Sequence, residues 1–269
     1  MKSKILYISV ILMLVVVLFT LTGCSKEEVE VTSTASGETE SAHVHDENCD
    51  HEAEEAEKSS TRVVDTIDYE AAAKKQMAAP EKGETVAIIK VKNYGEIKVK
   101  FFKDVAPKAV ENFITHAKEG YYDGVVFHRV IEEFMIQGGD PLGNGTGGES
   151  IWGKGFEEEL DFELVPYRGA LSMASQGKGK SSLGSQFYIV QGNYNESDVD
   201  YLKSLNFPEG LIEQYKIYGG YPSSLYLNYT IFGQVYEGMD VVDKIAKVET
   251  DSNDKPIKDV VIESIKVIE

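Results

Sequence analysis

FHRVIEEFMIQGGD, residues 127–140, places an arginine, two phenylalanines, a methionine and a glutamine in a short run that closes on two glycines. Apolar and polar residues alternate from Val125 to Ile131, the pattern of a half-buried strand. Successive side chains in a strand point to opposite faces. Phe127, Arg129 and Ile131 are therefore expected on one face, and Val126, His128 and Val130 on the other. An arginine on such a face has either a partner for its charge or a place at the rim, with its stem lying over apolar neighbours. The run alone leaves both open.

Working outward, Thr85–Val91 and Gly95–Phe101 read as two strands joined by a turn at Lys92-Asn93-Tyr94. Pro107–Glu119 is the strongest helix signal. Proline sits in its first turn, Gly120 stands just past its end, and Val110, Phe113, Ile114, Ala117 and Tyr121 form one apolar stripe. His116 lies off that stripe and is expected in solvent. Asp65–Ala79, ended by Pro80, predicts a helix with a weak stripe at Ile67, Ala71 and Ala78, docked as an N-terminal extension. Arg168–Ala174 and Ser185–Gln191 predict strands around a glycine-rich loop. Thr230–Val235 and Asp259–Val267 predict two more, with a short helix at Met239–Ala246 between them. Many short strands with few helices indicate a barrel or sandwich.

Two motif matches lead nowhere. Gly143, Gly145 and Gly148 satisfy G-x-G-x-x-G, but Pro141 precedes them and no helical pattern follows, so they serve a loop rather than a dinucleotide. Ser175 and Lys178 form S-x-x-K without the further elements a serine hydrolase needs.

The N-terminus differs from the rest. Lys2 and Lys4 precede an apolar run from Ile5 to Leu21, followed by Leu21-Thr22-Gly23-Cys24, the order of a secretory signal. A membrane anchor is the alternative. Net charge is −18, with +2 in residues 1–24, −10 in 25–60 and −10 in the remainder. That balance argues against nucleic acid, which needs clustered cations. The segment from Ser25 to Thr61 is too poor in apolar residues to offset its ordering entropy and reads as a disordered acidic tether, reaching about 30–35 Å. His43, His45, Cys49 and His51 fall within it at a spacing that matches no closed zinc module. Cys24 and Cys49 are the only cysteines, so no disulfide is expected in the folded region.

The 127–140 run, extended through Pro141, resembles the cyclophilin signature F-H-R-V-I-x-x-F-M-I-Q-G-G-D-P. Gly169-Ala170-Leu171-Ser172-Met173-Ala174 with Gly184-Ser185-Gln186-Phe187, and Phe232-Gly233-Gln234-Val235 leading into Met239–Ile245, are similar to two further segments of that family. LTGC resembles a bacterial lipoprotein cleavage box with Cys24 as the lipidated residue. The resemblance implies a mainly β fold, a closed eight-stranded antiparallel barrel with a helix capping each end. The division it suggests is a signal peptide at 1–23, a tether at 24–62, a helical extension at 63–84 and an isomerase domain at 85–269. Relative to short bacterial members, residues 193–228 are an insert whose tyrosines are expected to pack against the domain, with one short helix near 210–218.

The family's activity is rotation about X-Pro bonds, whose barrier of about 18–20 kcal/mol comes from amide conjugation. By resemblance, Arg129 would meet the twisted amide and Gln137 would orient it. Phe134, Met135, Tyr188, Leu225 and Tyr229 would line the proline slot, while Ala174, Ser175 and Gln186 would carry the preceding residue. Ser175 replaces the family's usual Asn, and Tyr229 takes the place of a pocket His. A charged hydrogen bond contributes about 1.5–3 kcal/mol, so Arg129 would account for one or two decades of rate, with a dry, oriented site supplying more. Neither metal nor other cofactor is implied. The expected protein is a monomeric, extracytoplasmic, lipid-anchored peptidyl-prolyl isomerase acting on secreted or surface polypeptides. The alternative is a proline-segment chaperone or scaffold with little turnover.

Overall fold

The structure, a computed structural model, describes residues 66–175 and 182–269. The expected signal, Cys24, the acidic tether with its histidines, and Lys178 lie outside the described residues.

Eight strands form one antiparallel sheet: β1 (Val86–Val91), β2 (Gly95–Phe101), β3 (Arg129–Ile131), β4 (Met135–Gly138), β5 (Ala170–Ser175), β6 (Leu183–Val190), β7 (Ile231–Glu237) and β8 (Ile262–Ile268). Their order is β3-β4-β6-β5-β7-β2-β1-β8. Residues 92–94 do make the β1–β2 turn, with Asn93 in the left-handed region at φ 68°.

The sheet curls but does not close, which corrects the expected barrel. Between its two ends, β3 and β8, the only ladder contact among the described residues is an isolated bridge, Val126 to Val261. Around it the Phe127 amide donates to the Val260 carbonyl, the Ile262 amide to that of Val125 and the Gly124 amide to that of Ile262. β3 then turns towards a loop, its Val130 amide donating to the Asp254 carbonyl at 2.8 Å. The same break corrects the expected faces. Phe127 and Val130, three residues apart, are both in the main core, so the chain between them is not regular strand.

The sheet has two buried faces. On the inner one, Ile136, Leu171, Met173, Phe187, Ile189 and Phe232 join helix α2 (Pro107–Lys118) and helix α6 (Met239–Ala246). Phe113 of α2 is the hub, with ring centroids 5.3 Å from Phe187 and 5.4 Å from Phe232. The strand period sends Met135, Ala170, Ala174, Tyr188, Val190 and Ile231 to the outer face, where they form a second cluster with Leu225. All of β6 is therefore buried.

His116, expected in solvent, is only 4 % exposed. Its Nε2 bonds the Glu149 carbonyl at 3.0 Å, and its ring lies 4.0 Å from that of Tyr121. The helix end is covered by a loop distant in sequence, which the stripe could not show.

Helix α1 (Tyr69–Met77) buries Tyr69, Ala72, Ala73 and Gln76; Ala71 and Ala78 of the expected stripe are exposed. Gln76 acts as its clasp. Its amide nitrogen donates to the Val165 carbonyl at 2.7 Å, and its oxygen accepts from the Val165 amide at 3.0 Å. α1 also packs on α4 (Glu209–Tyr218), one of three helices in the 193–228 segment, with α3 (Glu196–Ser204) and α5 (Pro222–Leu225). Only the α4 region was expected to be helical. The segment leaves and returns through a narrow neck, where the Gly220 amide donates to the Gly192 carbonyl at 2.9 Å. At φ 115° and tight against the backbone of Pro166 and Tyr167, Gly220 has no room for a side chain.

Candidate active site

A row of cross-strand neighbours on the outer face underlies the site. Arg129 pairs with Gln137, Gln137 with Tyr188, and Tyr188 with Ser172, across β3, β4, β6 and β5. Side chains directly opposite in an antiparallel pair lie close enough to interact. The hairpin β3–β4 turns through Glu133, at φ 60°, and so brings Phe134 back over the same face.

Above this row is a cavity of about 320 Å³. Phe134, Met135, Ala174, Tyr188, Leu225 and Tyr229 give it an apolar wall and floor, and Arg129, Gln137 and Ser175 contribute polar groups. Nine of the ten site residues expected from sequence, excluding the lipid-attachment position, therefore meet in one hollow. Leu225 reaches it from the last turn of α5, and the Tyr229 ring stands edge-on to Tyr188 at 5.7 Å and 89°.

Gln186 is the exception. It is 2 % exposed and stands behind the wall. Its Nε2 donates to the carbonyls of Gly145 and Gly147, at 3.1 and 2.7 Å, while its Oε1 accepts from Gln137 Nε2 at 3.0 Å. It holds Gln137 and the glycine loop together. Asp140 fixes the other end of that loop by accepting from the amides of Leu142, Asn144 and Gly145 at 2.7–3.1 Å. Burial alone would raise the Asp140 carboxyl, but these amide donors outweigh it and hold it below its ordinary range.

Four cavity-lining residues have no counterpart in the sequence expectations: His128, Asn144, Gly145 and Asn253. His128 was within reach, since it adjoins Arg129 in the signature. It is 6 % exposed, and neither ring nitrogen has a hydrogen-bond partner among the described residues. Burial, with the cations Lys255 and Arg129 nearby, pushes its imidazole below the usual histidine range despite Asp140. Nothing in the sequence pointed to Asn253 or to its neighbour Asp254, whose Oδ2 lies 3.6 Å from Arg129 Nε.

The Tyr188 hydroxyl on the cavity floor and the Ser172 hydroxyl opposite are buried side by side, neither making a well-aligned hydrogen bond among the described residues. Burial drives the Tyr188 phenol far above its ordinary range, so it remains protonated. Among the described residues that line it, none forms a nucleophile–base pair of the kind covalent catalysis uses. What the hollow offers is an apolar slot with a permanent cation at its edge, suited to a neutral amide that changes its charge distribution as it twists.

Comparison with known proteins gives this chemistry its class. Residues 86–267 match the family model described as cyclophilin type peptidyl-prolyl cis-trans isomerase/CLD. A Staphylococcus saprophyticus protein, provisionally named a peptidyl-prolyl cis-trans isomerase, is 47 % identical over 188 residues, covering 70 % of this chain and 94 % of its own. A similarly named Staphylococcus haemolyticus protein is 50 % identical over 176 residues, covering 65 % of this chain and 87 % of its own. A crystal structure of a Cryptosporidium parvum cyclophilin superposes with a TM-score of 0.56 at 34 % identity, covering 69 % of this chain and 98 % of that one. A second structure of that protein, in the presence of the dipeptide Ala-Pro, gives a TM-score of 0.55 at 34 % identity and covers 68 % and 99 % of the two chains. The site and fold thus define an isomerase of X-Pro peptide bonds. The chain belongs to the cyclophilin-type peptidyl-prolyl cis-trans isomerases.

Proposed function

We propose that this isomerase assists the folding of secreted or surface polypeptides from a membrane tether, with Arg129 as the catalytic group. The observation that carries the residue roles is the single hollow that joins Arg129 to the walls made by Phe134, Met135, Tyr188 and Leu225. The proline ring occupies that apolar slot, which fixes one side of the bond. Arg129 donates to the substrate amide and approaches the prolyl nitrogen as conjugation fails and its lone pair returns. Ala174 and Ser175 flank the residue before proline. Gln186 serves them indirectly, through Gln137 and the glycine loop. The Cryptosporidium parvum structure determined in the presence of the dipeptide Ala-Pro supports short proline peptides as ligands.

Catalysis needs no covalent step. A charge-assisted hydrogen bond from Arg129 contributes about 1.5–3 kcal/mol, roughly one to two decades of rate. The apolar surroundings add to it, because a dry site favours the less polar twisted amide and strengthens the guanidinium's field.

The tether reading rests on Lys2, Lys4, the Ile5–Leu21 run, LTGC and the acidic segment that follows. Cys24 carries the lipid, the domain works as a monomer outside the cytoplasm, and about 30–35 Å of acidic chain gives it reach. Refolding of a protein whose slow phase is proline-limited tests the folding role. The full chain should accelerate that phase in proportion to its concentration; an unchanged slow phase would remove folding assistance. Membrane-fraction protein should carry a lipid-modified Cys24 by mass, and an unprocessed N-terminus would remove the anchor.

A further inference from the structure

We propose that Asp254 is a positioning residue for Arg129, holding the guanidinium at the cavity edge before substrate arrives. The inference rests on the isomerase site described above. Arg129 lies on β3, at one end of the sheet, and its side chain is 43 % exposed. A long, half-exposed side chain at the cavity edge has many rotamers, and each productive encounter must select among them. By resemblance, Gln137 was the residue to restrain it. Gln137 does stand directly opposite in register and its amide nitrogen donates to Gln186, but among the described residues its Oε1, the atom able to accept from a guanidinium, takes no hydrogen bond from Arg129.

Asp254 meets the guanidinium from the other side. Its Oδ2 is 3.6 Å from Arg129 Nε, longer than a hydrogen bond and within ion-pair range. The approach is at the nitrogen nearest the stem, so the outer end of the planar fork is not spent on it.

Asp254 is itself braced. Its backbone carbonyl accepts from the amide of Val130, the residue next to Arg129, at 2.8 Å. Asp251 Oδ1 accepts from the amides of Asn253 and Lys255 at 2.8 and 3.0 Å, closing a tight turn. Lys255 Nζ reaches the Gly143 carbonyl at 3.1 Å and ties that turn to the glycine loop across the cavity mouth. The carboxylate therefore sits on a fixed support, and Asn253 beside it already lines the hollow.

The test uses the full chain with Asp254→Asn and Asp254→Gly. Asp254 has φ 62°, a left-handed conformation that Asn and Gly accept, so both variants keep the turn. Turnover on a short Ala-Pro peptide, with kcat and KM separated, should show kcat reduced about two- to fivefold, the range of exposed ion pairs, and KM little changed. Raising salt to molar levels should lower the parent's kcat towards that of the variants and leave theirs unaltered. In an Arg129→Lys background, which lacks Nε, Asp254→Asn should have no further effect.

Parent-like kcat in both variants would overturn the proposal. So would a raised kcat, which would make Asp254 a competitor of the substrate, or an equal loss in the Arg129→Lys background. Arg129→Ala separates the two layers: if it turns over like the parent, the reading of the site itself has failed, and not only the role of Asp254.

Discussion

The Tyr221 ring stands 4.7 Å from that of Phe134, inclined at 57°. The neck of the 193–228 segment therefore backs the Phe134 wall of the cavity. Tyr221 is also pinned from behind, its amide donating to the Pro166 carbonyl at 3.0 Å. Replacing Tyr221 with Leu removes an aromatic pair worth about 0.5–1.5 kcal/mol and loosens Phe134. The expected result is a fall in kcat/KM of about two- to tenfold on a proline peptide. Unchanged steady-state parameters would mean that the neck does not support the slot.

Tyr188→Phe should be tolerated. It deletes a buried hydroxyl that faces the Ser172 hydroxyl without a well-aligned hydrogen bond and keeps the ring that floors the cavity. Removing an unsatisfied buried polar group should raise stability by about 1 kcal/mol. Denaturant titration should show a higher midpoint with the same slope and parent-like turnover. A lower midpoint would show that the hydroxyl is satisfied in solution.

Gln186→Leu should do the reverse. It strips the Gly145 and Gly147 carbonyls and the Gln137 amide of a shared partner. Gly145 is exposed and Gly147 and Gln137 are half-buried, so each lost bond costs about 0.5–1.5 kcal/mol. The midpoint should fall and kcat/KM should fall with it, because Gln137 and the glycine loop lose their common tie. Loss of stability with full activity would place Gln186 outside the site's support.

Acidification should weaken the fold earlier than its carboxylates alone predict. His116 and His128 are both held below the ordinary histidine value of about 6.5, chiefly by burial. As pH drops through about 6.5 the unfolded chain takes up these protons first, so their contribution is complete above that value and is lost on descending towards the folded values. The slope is at most about 1.4 kcal/mol per pH unit for each histidine. Denaturation midpoints at pH 7.5, 6.5 and 5.5 should fall across the series, and His128→Asn should flatten the lower half. A constant midpoint would show that both imidazoles protonate freely in the folded state.

The grouping of the candidate site was partly legible because six of its residues, Arg129, Met135, Gln137, Ala174, Ser175 and Tyr188, lie on regular strands. Once β4, β5 and β6 are placed, a period of two sends Met135, Ala174 and Tyr188 to one face. What sequence missed lies where the chain is irregular or where partners are distant. The open seam follows from residues 124–128 making a single bridge, which no alternation pattern announces. His116 is buried by Glu149, 33 residues away, and Asp254 reaches Arg129 only through a turn from the far end of the chain. Helix α3 did leave a signal: Asn195 caps it by accepting from the Ser197 amide, and Glu196 and Asp198 fill its acidic first turn. Its apolar side is only Val199 and Leu202, too sparse to show as a stripe.

The most direct measurement is the cis–trans exchange rate of a short Ala-Pro peptide, followed by exchange spectroscopy with the parent chain and with Arg129→Ala at equal concentration. The parent should accelerate exchange, and the variant should lose at least about tenfold of that acceleration while melting at the parent's temperature. Equal acceleration by a folded Arg129→Ala protein would contradict the assignment of catalysis to the guanidinium.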